Sequence, residues 1–430
     1  MTMRSRQPTI DRIARSLARL DGSGSFSHYH LESGLGLYLE VDGVGRCALP
    51  PSDEDLAALL ERASPSPFGY RDETRVDTAV RDSWELPGAR VHLDPRRWSQ
   101  RFDRGVARVA EALGFPPDAV VTPTLQKLLI YGPGQFFAPH RDTEKHPGMA
   151  ATLVVLLPSR YRGGEVVISH AGATARYDTA EDAASGRVGF LGLYADCVHE
   201  TRPVARGYRL ALTFALTVET SSPLPLRPDD ALLDLRQSLA SHLARASQLV
   251  YLLDHEYAPQ SIEWERLKNT DRVRASALRA VADALECDCF LALADVHESF
   301  DADVEQDDTD DLDDVVHGLP PGGYGELLGR DVTLERWIDG RGRRCATPDA
   351  LDLGDDVVTT TRALDRAAYE RTYTLWTGNE GGGADQWYRQ AALVVVRRGS
   401  PLHAELTPIA TEPPPPRAPA VRRRRRDKPG

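Results

Sequence analysis

The 430-residue sequence predicts a mixed α+β protein built around a compact antiparallel β-sandwich or barrel. Three observations predict it. Between residues 124 and 220, short extended segments follow one another: TLQKLLIY, QFFAPH, ATLVVLLP, GEVVISH, ATARYD, RVGFLGLY, VHETRP and YRLALTFALTVE. The turn-rich pieces GPG, RGG, HAG and ARG separate them, with no helical stretch expected between. Helical stripes precede this block, and alternating helices and strands follow it.

The elements read in order as follows. In MTMRSRQPTIDRIARSLARL, Ile10, Ile13, Leu17 and Leu20 share one helical stripe, with Thr9 as candidate N-cap. Asp11 and the lack of a secretory apolar core favour a docked amphipathic helix over a targeting peptide. Residues 35–50 predict a hairpin turning at Asp42-Gly43, and Ser52 caps a helix through DEDLAALLERA. A further amphipathic helix is expected over 96–113, stopped by Gly114 and Pro116. These N-terminal helices are expected to cover one outer face of the β core.

After 220, PDDALLDLRQSLASHLARASQ and VRASALRAVADALE read as helices, and LVYLLDH and CFLALADV as strands. TGNEGGG reads as a turn feeding the strand WYRQAALVVV, because no Lys-Ser/Thr closes it as a phosphate loop. Trp387 and Tyr388 are expected to pack between domains. The acidic run 301–314 lacks the central Gly and the spacing of a calcium loop, so it reads as solvated. The expected division is an N-terminal helix and linker over 1–34 and a core domain over 35–220, whose β block is 124–220. An α+β extension over 221–408 and a disordered Pro/Arg-rich tail over 409–430 complete it.

Composition excludes several classes. No run of eighteen apolar residues exists, so no membrane span is expected. Net charge is -12, and the last twenty residues carry seven basic and two acidic side chains, which leaves the body near -17. Such a body repels phosphate backbones. Nucleic-acid contact is expected only through the Arg422–Arg426 run of the tail. Five scattered cysteines suit burial as reduced thiols and a cytoplasmic setting.

A His-x-carboxylate pattern occurs four times, at His30/Glu32, His92/Asp94, His140/Asp142 and His403/Glu405. Roughly one is expected by chance, so the pattern alone decides little. The surroundings of His140 set it apart. It ends the extended piece QFFAPH, where positions i and i+2 point to one side. His199, in VHETRP, offers a distant third ligand. On the strand from Tyr208, Arg209, Ala211, Thr213 and Ala215 share a small, polar face, while Leu210, Leu212, Phe214 and Leu216 share an apolar one. If 198–201 and 208–216 form a hairpin, Arg209 points into the cavity that His199 lines. His146 and His170 read instead as a loop and a strand end.

Two imidazoles and one carboxylate on one side of a metal leave open positions, an arrangement suited to non-haem Fe(II) oxygen chemistry. A buried arginine beside it calls for an anion. A dicarboxylate chelating the metal at one end and pairing with Arg209 at the other describes 2-oxoglutarate. Tyr131 is placed to donate its hydroxyl to the same carboxylate. Arg81, in VRDSWEL, is a candidate substrate contact, with an ordinary salt bridge as its alternative.

The stretches KLLIYGPGQFFAPHRDTEKHPGMAATLVVLLPSRYRGGEVVISHAG and YADCVHETRPVARGYRLALTFAL resemble the catalytic core of prolyl-4-hydroxylase-like 2-oxoglutarate/Fe(II) dioxygenases. The resemblance is closest to a bacterial and fungal branch that also carries FGYRDETRVDTAVRDSWEL and TGNEGGGADQWYRQAALVVV. It implies a double-stranded β-helix (jelly-roll) core, iron on His140, Asp142 and His199, and 2-oxoglutarate on Arg209 and Tyr131, with O2 as the second co-substrate. The implied reaction couples oxidative decarboxylation of 2-oxoglutarate to hydroxylation of a C–H bond on a protein side chain or small molecule. Related halogenases lack the carboxylate that Asp142 provides, which favours hydroxylation here. Two alternatives stand beside this reading: an oxidative demethylase, disfavoured by the ten-residue step from His199 to Arg209 and by the acidic body, and a metal-free interaction protein.

Overall fold

The computed structural model of the protein describes residues 7–70, 73–142, 148–219, 230–301, 326–348, 357–360, 368, 370–374 and 383–409. The acidic run after Asp301, the TGNEGG stretch, His146 and the Arg422–Arg426 run lie outside the described residues.

The β block folds as two antiparallel sheets. The larger runs in the order Ser27–Ser33, Arg187–Tyr194, Met149–Leu156, Arg209–Glu219, Val120–Tyr131, Trp84–Pro87 and Ser64–Pro65. The smaller runs Ala173–Tyr177, Val166–His170, Val198–Thr201, Phe136–His140 and Arg81–Asp82. Val166 and Ile168 of the smaller sheet share one apolar core with Leu153, Leu191, Leu210 and Leu212 of the larger. Alternation produces this: leucines on one face of Arg209–Glu219 are buried in the core, while Arg209, Thr213 and Ala215 line a cavity. Between 120 and 219 the chain forms ten strands, two more than the pattern predicts, and a short helix, Ala180–Ala184, interrupts them. Two of these strands, Tyr161–Gly163 and Val204–Gly207, pair only with each other.

The hairpin Tyr38–Val41/Gly45–Ala48 forms as expected. Ser52 caps the helix Asp53–Arg62 through a reciprocal box with Asp55. Asp94 caps Pro95–Ala112, which covers the larger sheet. Gly105 sets how close that helix comes, because a Cβ there would lie 2.5 Å from the Phe190 ring.

The C-terminal extension is a second α+β unit. Its sheet runs Leu327–Ile338, Cys287–Asp301, Gly383–Arg397, Gln248–Leu252 and Val357–Thr359, with Glu370–Thr374 also on Gly383–Arg397. Helices Asp230–Leu243 and Asn269–Asp283 contribute Leu235, Leu239 and Leu278 to its core. The five cysteines are free and buried, as expected. Among the described residues no helix is long and apolar enough to cross a membrane.

Three expectations are corrected. The helix Gln7–Ala18 does not cover the β core: Ile13, Leu17 and Leu20 are buried in the C-terminal unit with Leu235 and Leu239. Thr9 lies inside that helix rather than capping it. Trp387 and Tyr388 pack within the C-terminal unit, where Trp387 stacks on His297 at 4.5 Å and Tyr388 joins a core with Val296 and Leu334. Strand alternation explains the last point, since it turns Tyr388 to the buried face of Gly383–Arg397 and Trp387 to the partly exposed one. The strand Ser27–Ser33 pairs with Arg187–Tyr194, so the sandwich also draws on residues before 35.

Removing a buried leucine costs about 2–5 kcal/mol. Leu17→Ala is therefore expected to destabilise the C-terminal unit first. Hydrogen exchange should show protection lost in Asp230–Leu243 and Gln248–Leu252 before Met149–Leu156; the reverse order would place the helix elsewhere energetically.

Candidate metal centre and its cavity

His140 and His199 are cross-strand neighbours in the smaller sheet. Their ring centroids lie 4.2 Å apart. Asp142 follows just past the strand end, with Oδ2 3.8 Å from His199 Nε2. The three candidate ligand atoms lie within 4.8 Å of one another. Pro139 sits in this strand at a register shift between Phe137 and His140, where its missing N–H costs no ladder bond.

Each imidazole has a fixed tautomer. His140 Nδ1–H donates to the Ala138 carbonyl at 2.9 Å, and His199 Nδ1–H donates to the Cys197 carbonyl at 3.1 Å. Both Nε2 lone pairs are thereby presented to the same point. Burial first, then the neighbouring His199, push His140 down to about 3, so its ring is neutral and available as a ligand. Asp142 is oriented by Thr152, whose hydroxyl donates to Oδ2 at 2.5 Å, and by its own N–H on the Ala195 carbonyl at 3.2 Å.

Arg209 lines a cavity of about 100 Å³ together with the three candidate ligands. Its side chain is 2% exposed, and its Nε has no hydrogen-bond partner. No carboxylate pairs with it among the described residues. A buried guanidinium without an anion is strongly unfavourable, so the site is built for a negatively charged ligand. Gly164 cradles it: at φ +69 a Cβ there would lie 3.0 Å from Arg209 Cδ. Tyr131 stands opposite Arg209 in register, with its ring centroid 5.4 Å from the guanidinium carbon. An orphaned buried cation and three convergent N/O donors fit ferrous iron with a dicarboxylate co-substrate.

His199 and Arg209 do not share a hairpin. Val198–Thr201 belongs to the smaller sheet and Arg209–Glu219 to the larger. Val204–Gly207, paired with Tyr161–Gly163, lies between them in the chain; it ends on Gly207 at φ +74, where a Cβ would lie 2.1 Å from the Arg160 carbonyl oxygen. The two side chains meet across the cavity instead.

Arg81 is buried in the cavity wall, with its guanidinium 4.4 Å from the Phe137 ring. Phe137 in turn stacks on His140 at 3.4 Å. Arg81 donates to Ser83 Oγ and the Pro67 carbonyl and lies 3.7 Å from Glu85. The other three His-x-acid patterns are ordinary pairings: His30 with Glu32, His92 with Asp42 and His403 with Asp288. His170 ends its strand, as expected, but belongs to a second cluster with Asp196 and His255, where the Lys268 ammonium already sits 2.9 Å from Asp196. Sequence reasoning missed Thr152, although it is the one polar residue in MAATLVVL.

Residues 126–217 match the model of the 2OG-Fe(II) oxygenase superfamily, whose members use Fe(II), 2-oxoglutarate and O2. No curated protein matches the chain. Among solved structures, it is similar to a prolyl-4-hydroxylase from Pseudomonas putida at 18% identity, covering 49% of this chain and 100% of that one, with a TM-score of 0.27. A 2OG-Fe(II) oxygenase family oxidoreductase from Burkholderia pseudomallei matches at 18% identity, 48% and 90% coverage and a TM-score of 0.26. A prolyl hydroxylase from Trichoplax adhaerens, solved with a peptide fragment, matches at 15% identity, 50% and 94% coverage and a TM-score of 0.30.

Thr152→Val removes a bond that orients a ligand, a change that typically weakens metal binding by about 10–100-fold. Anaerobic Co(II) titration should read that loss; unchanged affinity would remove Thr152 from the site.

Proposed function

We propose that this chain, whose residues 126–217 match the model of the 2OG-Fe(II) oxygenase superfamily, is a 2-oxoglutarate- and Fe(II)-dependent dioxygenase. Its reaction is hydroxylation of a C–H bond, of the prolyl-4-hydroxylase type, on a protein side chain or small molecule. The observation that carries the reading is a buried Arg209, without a carboxylate partner among the described residues, lining one cavity with the His140–Asp142–His199 cluster. The two antiparallel sheets around that cavity support a double-stranded β-helix core.

His140, Asp142 and His199 would hold the metal. Held there, Fe(II) would supply the chemistry that couples oxidative decarboxylation of 2-oxoglutarate by O2 to hydroxylation of a substrate C–H bond. The protein's own part is placement. Arg209 pairs with the distal carboxylate of 2-oxoglutarate through a planar fork, and the Tyr131 hydroxyl donates to the same group. Ala138 and Cys197 carbonyls and the Thr152 hydroxyl keep the donor atoms aimed. Leu191, Leu193, Val166 and Met149 wall the cavity with apolar surface, which keeps water from the oxidising centre. Arg81 shapes the substrate end through the wall it builds with Phe137. The acidic body suits a peptide or metabolite substrate better than nucleic acid.

Losing one partner of a buried charge pair costs about 2–5 kcal/mol. Arg209→Met should therefore raise KM for 2-oxoglutarate by well over tenfold, with Arg209→Lys intermediate. Lysate incubated with enzyme, 2-oxoglutarate and O2 should gain +16 Da products absent with His140→Ala. A protein that neither retains Fe(II) nor consumes 2-oxoglutarate would instead be a metal-free interaction protein.

A further inference from the structure

The loop between Arg187–Tyr194 and Val198–Thr201 holds candidate ligands at two alternate residues. The Ala195 carbonyl accepts the Asp142 N–H, and the Cys197 carbonyl accepts His199 Nδ1–H. Between them, Asp196 points away from the cavity and is buried. It accepts hydrogen bonds from His255 Nδ1 at 2.9 Å, the Glu256 N–H at 3.1 Å, Lys268 Nζ at 2.9 Å and His170 Nε2 at 3.3 Å. Three of these four donors come from the C-terminal unit.

The same C-terminal segment grips the other side of the centre. Arg141, between the two proximal ligands, forms an ion pair with Glu256. The segment is itself held: buried Asp271 accepts the N–H groups of Asp254 and His255 and the Tyr257 hydroxyl. Lys268 also donates to the Glu256 carbonyl.

We propose that the C-terminal unit sets the geometry of the metal centre, with Asp196 and Glu256 as positioning residues that clamp the ligand-bearing loops from behind. This rests on the dioxygenase reading above. A cluster of two histidines and a carboxylate at Asp196 invites a second metal site, but Lys268 supplies the cation there. Burial alone would raise the Asp196 carboxyl; Lys268, then His255 and His170, hold it well below the usual carboxylate range. Asp196 is thus a fixed anion, and the clamp is an electrostatic one across the boundary of the two units.

The test measures Co(II) affinity and the ligand-field spectrum of the full chain under argon, alongside thermal unfolding. Glu256→Gln keeps the N–H that Asp196 accepts and removes the pair with Arg141. Asp196→Asn weakens the whole junction. Both should bind Co(II) about tenfold or more weakly, the scale expected for outer partners of metal ligands, with an altered spectrum. Arg398→Ala, which loses its pairs with Asp283 and Asp288 in the same unit, should keep wild-type affinity. A folded Glu256→Gln protein with wild-type affinity and spectrum overturns the clamp while leaving the dioxygenase reading intact. Wild-type protein that binds no Co(II) overturns both.

Discussion

The register that sets His140 opposite His199 is the constraint on which the centre depends. In a sheet, a slip of one residue turns a side chain to the opposite face. Either histidine displaced in this way would leave the cavity, and the Nδ1 bonds to Ala138 and Cys197 would be lost with it. The register shift at Pro139 and the pairing of Val198–Thr201 with two neighbours, Phe136–His140 and Val166–His170, hold that alignment. The larger sheet then supplies what the smaller cannot: Arg209 and Tyr131 from adjacent strands, and Thr152 against Asp142.

The electrostatics follow one logic at two distances. Inside the cavity the Arg209 guanidinium has no carboxylate partner among the described residues, a cost that the proposed dicarboxylate would relieve. Behind the ligands, Asp196 and Lys268 are buried but matched, and their bonds reach into both units. An unmatched charge marks where a ligand goes, whereas a matched one marks where the scaffold is fixed.

Much of the candidate site's geometry was legible because strand alternation is a strong signal. Arg209, Thr213 and Ala215 stood apart from Leu210, Leu212 and Phe214 in the bare sequence, and His140-x-Asp142 ended an extended segment. The hairpin from His199 to Arg209 was misread because nothing local announces that Val204–Gly207 crosses between sheets. The N-terminal stripe of Ile13 and Leu17 revealed a buried face but not its partner, over 200 residues away. Asp196 was invisible for the same reason: three of its four donors lie at 255–268, and a lone aspartate in YADCV carries no pattern of its own.

Anomalous diffraction from crystals of the full chain grown with Mn(II) under argon tests the central claim most directly. A single strong peak within coordination distance of His140, Asp142 and His199 is predicted. A peak at the His170–Asp196–His255 cluster instead, or none at either place, would contradict it.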